Sequence, residues 1–151
     1  NQLLANDAGS TLSSLAGNDI LDGGDGIDIL IGGAGLDTLT AGLGADRFKF
    51  NVKTETPKGA NRDVILDFSG AGGELDRIDL SGIDAKKGSG NQAFRFIGAQ
   101  KFHHRLGELQ VKYNAVSDTA IVQGDINGDG RADFQIEVHS LAALTKGDFI
   151  L

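Results

Sequence analysis

The chain has 151 residues, 23 of them glycine, with one proline and no cysteine, methionine or tryptophan. That length carries one domain or a short repeat array fused to one, and so much glycine without a Gly-X-Y period means many turns, not collagen and not a helical bundle. The formal net charge of −7 argues against a nucleic-acid partner, no stretch reaches the ~18 apolar residues of a membrane span, and without cysteine any staple beyond core packing must be of another kind.

The N-terminal third is periodic. Set in nines, residues 14–22 read SLAGNDILD, 23–31 GGDGIDILI, 32–40 GGAGLDTLT and 41–49 AGLGADRFK. The fourth position is Gly17, Gly26, Gly35 and Gly44, and the sixth is Asp19, Asp28, Asp37 and Asp46. The eighth is Leu21, Leu30, Leu39 and Phe48. A weaker unit over 5–13 keeps only Leu12 in phase and has Ser10 in the aspartate's place. Six glycine-rich residues make a turn, and the three that remain suit only a short strand whose eighth-position side chain points inward. A flexible linker would not hold an apolar residue in register, and plain hairpins would not need aspartate at one fixed place.

This Gly-Gly-x-Gly-x-Asp-x-apolar-x pattern resembles the calcium-binding nonapeptide of the repeats-in-toxin (RTX) family. The resemblance implies a parallel β-roll in which two units close one coil, so that Asp19 stacks on Asp37 and Asp28 on Asp46. Strands about 4.7–4.9 Å apart place an ion midway roughly 2.4 Å from each layer, within the range of calcium–oxygen bonds and long for magnesium. The resemblance further implies two or more structural Ca2+ ions, each taking one carboxylate from each turn. Backbone carbonyls complete the set, from the first and third positions of one turn and the second and fourth of the other. The candidates are Gly17, Gly33 and Gly35 with Asp19 and Asp37, and Gly23, Asp25, Gly42 and Gly44 with Asp28 and Asp46; which turn supplies which carbonyls stays open. The outer units, 14–22 and 41–49, lack one or both leading glycines and are expected to bind less tightly.

Beyond Phe50 the period stops. A polar connection, 51–61, holds the single proline. Strands are expected over 62–68, 76–83 and 93–98. In GELQVKY, Leu109, Val111 and Tyr113 face one way and Gln110 and Lys112 the other; two more strands follow about a tight turn, with Phe134, Ile136 and Val138 inward. A helical turn is expected within HSLAALTKGDFIL, ending at Gly147. The order of these blocks, DVILDF, DRIDLSGI, AFRFIG, GELQV, VQGDINGDGRADFQIEV and DFIL, resembles the C-terminal domain of serralysin-type secreted metalloproteases. The expected fold is therefore all-β: a parallel roll over 1–50 continuing into an antiparallel β-sandwich over 51–151.

Two further acidic groups invite a metal reading. Asp125, Asn127, Asp129 and Asp133 hold positions 1, 3, 5 and 9 of an EF-hand-like loop, but Ile136 stands where a bidentate glutamate is needed, and Asn-Gly with Asp-Gly equally makes a hairpin turn. Glu74 and Asp79, near Asp67 and Asp76, can clasp an ion or form a solvated acidic loop. Zinc catalysis needs His-Glu-x-x-His; the three histidines, His103, His104 and His139, form no such motif, and an exposed loop suits the adjacent pair. Catalytic residues are thus none.

Asp148, Phe149, Ile150 and Leu151 match the family's uncleaved C-terminal signal for type I export, and equally suit an edge strand. The resemblance implies a secreted, extracellular, non-catalytic module that folds on calcium. Its partners would be the type I secretion apparatus and the catalytic domain of its own parent chain, with no nucleic acid and no membrane insertion. The sequence begins with Asn and is expected to be a fragment. An alternative is a module binding an anionic, alginate-like polysaccharide, since such repeats accompany alginate epimerases. The basic cluster of Arg47, Lys49, Lys53, Lys58 and Arg62 would serve it, against the opposing net charge.

Overall fold

The computed structural model describes residues 1–5, 8–86 and 90–151; residues 6 and 7 of the weak repeat unit lie outside them. The periodic segment folds as glycine-rich turns between three-residue strands: β1 (Gln2–Leu4), β2 (Thr11–Ser13), β3 (Ile20–Asp22), β4 (Ile29–Ile31), β5 (Thr38–Thr40) and β6 (Arg47–Lys49). From β2 to β6 the middle residue is buried and its neighbours are not, as a period of two across a single inner face requires. Each strand pairs in parallel with the next but one. Leu3, Leu21 and Leu39 line up on one sheet, and Leu12, Leu30 and Phe48 on the other. Nine residues therefore make half a coil.

The coil outlasts the period. β7 (Val64–Ile65) adds to β5 with Ile65 opposite Leu39, and β8 (Arg77–Asp79) adds to β6 with Ile78 opposite Phe48. The connection 51–61 makes only a 3-10 turn, Gly59–Asn61. On β7 sits β12 (Phe134–His139), parallel to it, followed by antiparallel β11 (Thr119–Asp125) and β10 (Glu108–Asn114), with β9 (Arg95–Gly98) at the edge. β13 (Phe149–Ile150) closes the other sheet against β8. Among the described residues the sheet orders are β1-β3-β5-β7-β12-β11-β10-β9 and β13-β8-β6-β4-β2. The expected all-β class, a parallel roll passing into an antiparallel part, is what the structure has.

One apolar core runs through both parts. Leu21, Leu30, Leu39, Phe48, Ile65 and Ile78 form its roll section, and Phe134, Ile136 and Val138 point into it from β12 as their alternation predicts. Three details differ from the sequence reading. Tyr113 is only half-buried while Gln110 is buried, its amide held between Gln123 and the Gln100 carbonyl. The helical turn is a 3-10 turn, Lys146–Asp148, that runs through Gly147; Thr145 and Asp148 cap it reciprocally. The β11–β12 link is no tight turn but a loop over 126–133, since Asp125 and Asp133 both fold back on its backbone.

Stacked turns are themselves laddered. Ala34 N–H donates to the Leu15 carbonyl at 2.8 Å and Leu43 N–H to that of Gly24 at 3.0 Å. The approach is so close that a Cβ on Gly44 (φ +141°) would overlap the carbonyl oxygen of Gly26. Gly59 has a comparable positive φ of +86° but nothing within 4 Å of a built Cβ. Gly59→Ala should therefore cost about 1–2 kcal/mol of left-handed strain. Gly44→Ala should cost about 1–3 kcal/mol more through overlap. Thermal denaturation in saturating calcium checks this; equal losses would mean the coils have room to part. By the same measurement Leu30→Ala should cost about 2–5 kcal/mol, as a fully buried leucine truncated in a packed core does.

Candidate metal centre

Every repeat aspartate stands one residue before its strand, at the corner where turn becomes sheet. There one carboxylate oxygen is tied to the backbone one coil back. Asp19 N–H donates to Asp37 Oδ1 at 2.9 Å, and Asp28 N–H to Asp46 Oδ1 at 2.7 Å. Ser10 N–H donates to Asp28 Oδ1 at 2.5 Å, so serine in the aspartate's place still makes the link. The links run on past the repeats: Asp37 N–H reaches Asp63 Oδ1 at 2.9 Å and Asp46 N–H reaches Asp76 Oδ1 at 3.0 Å.

The second oxygen is the informative one. Oδ2 of Asp19, Asp28, Asp37, Asp46 and Asp63 is buried and accepts no hydrogen bond. A buried unsatisfied polar atom costs about 1–3 kcal/mol, and a charged one more, so five on one fold point to a missing counter-charge. Asp76 differs, since its Oδ2 accepts the N–H of Ser69 at 2.8 Å.

The electrostatics agree. Burial, with the like charge of Asp19 nearby, raises the carboxyl of Asp37, and burial beside Asp28 raises that of Asp46. Burial pushes Asp63 up to about 8 and Asp76 to about 6. Asp19 alone is held low, by its hydrogen bond to the N-terminal ammonium. Away from that ammonium, ionised carboxylates in this column need a cation beside them.

Carbonyl oxygens supply the rest of a donor set. Those of Leu15 and Gly17 face Gly33 and Gly35 of the next turn, and those of Gly24 and Gly26 face Gly42 and Gly44. In the opposite sense, a Cβ on Gly23 would lie 2.5 Å from the Ala41 oxygen and 2.8 Å from Asp28 Oδ2. Gly23, Gly33, Gly35, Gly42 and Gly44 thus shape the cradle by lacking side chains, while Gly17 turns its oxygen across the gap. Gly26 does the same although the sequence pattern did not single it out, whereas the oxygens of Leu15 and Gly24 already accept the N–H groups of Ala34 and Leu43. Asp25 exposes its side chain and joins only through a backbone bridge to Leu43. A donor set made wholly of oxygen, two carboxylates plus carbonyls, fits a hard divalent cation of calcium's size. Among the described residues no three Asp, Glu or His side chains converge, so such a site depends on those carbonyls.

The other candidates lie apart from the column. Asp79, buried at the end of β8, accepts from the Ser81 N–H and hydroxyl at 3.0 and 2.6 Å and faces Arg47 at 3.7 Å. Glu74 is half-buried in the loop before β8. Asp67 accepts Ala41 and Gly42 N–H at 3.0 and 2.8 Å, capping the last repeat turn. Asp125 accepts from Gly128 and Gly130, Asn127 from Asp129, Asp129 from Arg131, and Asp133 from Ile126 and Asn127. The 125–133 loop therefore closes on its own backbone. The basic cluster is largely paired: besides Arg47, Lys53 faces Asp133 at 3.9 Å and Arg62 clasps Glu137 at 2.6 and 3.1 Å. His103 and His104 are exposed as expected. At the tail, Asp148 accepts Ala71 N–H at 2.9 Å and Phe149 is buried against β8, so these residues form a strand of the fold.

Asp63 and Asp76 continue the two aspartate columns, and the repeat count missed them. A signal existed: Asp63-Val64-Ile65 and Asp76-Arg77-Ile78 repeat the Asp-x-apolar core of the nonapeptide.

The family described as peptidase M10 serralysin C terminal matches residues 3–151. No curated protein matches the chain. Among solved structures, the AlgE6R2 subunit of the Azotobacter vinelandii mannuronan C5-epimerase is similar at 24% identity and a TM-score of 0.61, covering 99% of this chain and 92% of that one. The AlgE6R3 subunit of that epimerase is similar at 24% identity and 0.55, covering 95% and 78%. At such identity the likeness is one of fold. The match along almost the full length is what assigns the family: the chain belongs to the peptidase M10 serralysin C-terminal family.

Proposed function

We propose that the chain is a non-catalytic calcium-binding module of a secreted enzyme, ordered by ions held between its coils. The observation that carries this is a pair of columns of buried, unpartnered carboxylate oxygens, Asp19–Asp37–Asp63 on one edge and Asp28–Asp46 on the other. Asp19 with Asp37, and Asp28 with Asp46, would each hold one ion together with facing carbonyls, among them Gly17 and Gly26. Asp37 with Asp63 makes a third such pair. A bound calcium supplies the positive charge that lets stacked carboxylates stay ionised out of water. Without it they repel, and ordering the glycine-rich turns costs about 1–2 kcal/mol of backbone entropy per residue. Binding free energy is then folding free energy.

The route follows from this coupling. The chain stays open where calcium is scarce, passes the type I apparatus, and folds outside the cell beside its catalytic domain. The tail 148–151 fits an export signal that is read before folding, since Asp148 and Phe149 are buried afterwards. The polysaccharide reading at the basic cluster has less behind it, because Arg47, Lys53 and Arg62 already face carboxylates. The 125–133 loop serves as a self-closed turn, and Glu74 with Asp79 as part of the roll's end.

Calcium titration followed by circular dichroism tests this reading. Chelation should remove most strand signal, and retention of full strand content and melting point would end the case. Asp28→Ala should raise the calcium midpoint about tenfold, the scale of about 1.4 kcal/mol, and Asp133→Ala should leave it nearly unchanged. Asp63→Ala should also raise it, although Asp63 lies outside the repeats. The opposite order for Asp28 and Asp133 would move the ions to the 125–133 loop.

A further inference from the structure

Acidic residues outnumber basic ones by 21 to 14, yet one groove is lined by cations and no acid. It lies over the outer face of β10, β11 and β12 as an open depression of about 610 Å³. Lys58, Lys101, Lys112 and Arg131 line it with exposed side chains. Among the described residues, none of these four forms an ion pair, whereas Arg47, Lys53 and Arg62 all do. Like charges gathered without carboxylates are unfavourable in the free protein and become favourable once an anion sits among them.

The groove's floor is built for hydrogen bonding. Gln135 Nε2 donates to Gln123 Oε1 at 2.8 Å, and Gln123 Nε2 donates in turn to Gln110 Oε1. Gln110 Nε2 donates to the Gln100 carbonyl at 2.5 Å, and Gln135 Oε1 accepts Gly59 N–H at 2.9 Å. Gln110 and Gln123 are buried within this ladder, and the half-buried Gln135 is the amide that faces the groove, with one of its two N–H groups uncommitted.

One wall is fixed in place. Fully buried Glu108 accepts the His103 N–H at 2.7 Å and bonds its ring at 2.9 Å. The His104 ring packs so closely on Gly130 that a Cβ there would lie 2.5 Å from it. The 100–104 segment is thus anchored to both the sheet and the 125–133 loop.

We propose that this groove binds a carboxylate-bearing polysaccharide. The cations answer the carboxylates, and the half-buried Gln135 amide, with an N–H to spare, answers hydroxyls, which phosphates lack. A nucleic acid would want a run of exposed rings for stacking, and the lining offers exposed His104, packed on Gly130, and half-buried Phe102. The groove shares no residue with the aspartate column, so it stands apart from the calcium reading.

Nuclear magnetic resonance titration of the calcium-loaded chain with a uronic-acid hexamer, at fixed free calcium, tests the site. Amide shifts should concentrate at 100–104, 110–112, 123 and 131–135, and weaken with added salt. A neutral hexasaccharide and a thymidine decanucleotide should not reproduce them. The double variant Lys101→Ala/Lys112→Ala should bind about tenfold more weakly. Lys53→Ala, outside the groove, should bind like the wild type, and circular dichroism reports the calcium-dependent fold separately. Absent shifts, equal binding of the oligonucleotide, or an unaffected double variant would each overturn the proposal.

Discussion

The fold depends on a carboxylate that is half satisfied. Oδ1 of each column aspartate is fixed by a backbone N–H one coil away, which sets the distance between coils; Oδ2 is left facing inward without a partner. The first bond is ordinary protein chemistry. The second oxygen is tolerable only beside positive charge. Glycine lets the turns approach closely enough for carbonyls to face the same gap, and the leucine–phenylalanine column supplies burial that does not depend on any ion. On the proposed reading, apolar packing and ion binding divide the stabilisation between the middle of each strand and its corner.

Much of this was legible in the sequence because the repeat states it several times over. Leu21, Leu30, Leu39 and Phe48 are interior for the reason their spacing gives, and Asp19, Asp28, Asp37 and Asp46 line the corners. The continuation was harder to read. Asp63 follows Asp37 by 26 residues and Asp76 follows Asp46 by 30, so insertions hide the next coil from a count of nine. Backbone direction was also out of reach: nothing in Gly23-Gly24-Asp25-Gly26 says which carbonyls turn across the gap. Gln110 shows a third limit, for alternation gives the face a side chain takes but not what covers that face.

The join between roll and sandwich needs no separate interface. β7 carries β5 on one side and β12 on the other, so one sheet is repeat-built at one end and antiparallel at the other. The opposite sheet ends on β13, whose Phe149 ring lies 5.6 Å from that of Phe96. Ions proposed at the corners and packing in the antiparallel part would consequently act on one continuous body.

The column's hydrogen bonds also have a direction. Each aspartate N–H points to the carboxylate of the following coil, and the series ends where Asp63 N–H meets the Thr56 hydroxyl and Asp76 N–H meets the Ser69 carbonyl. A coil joined at the amino end finds its acceptor already in place, whereas one inserted at the carboxyl end would displace these two stops. The array is a staircase with a fixed landing: steps can be gained or lost at the top while the bottom stays the same. Repeat number can therefore drift in evolution without redesign of the domain that anchors it.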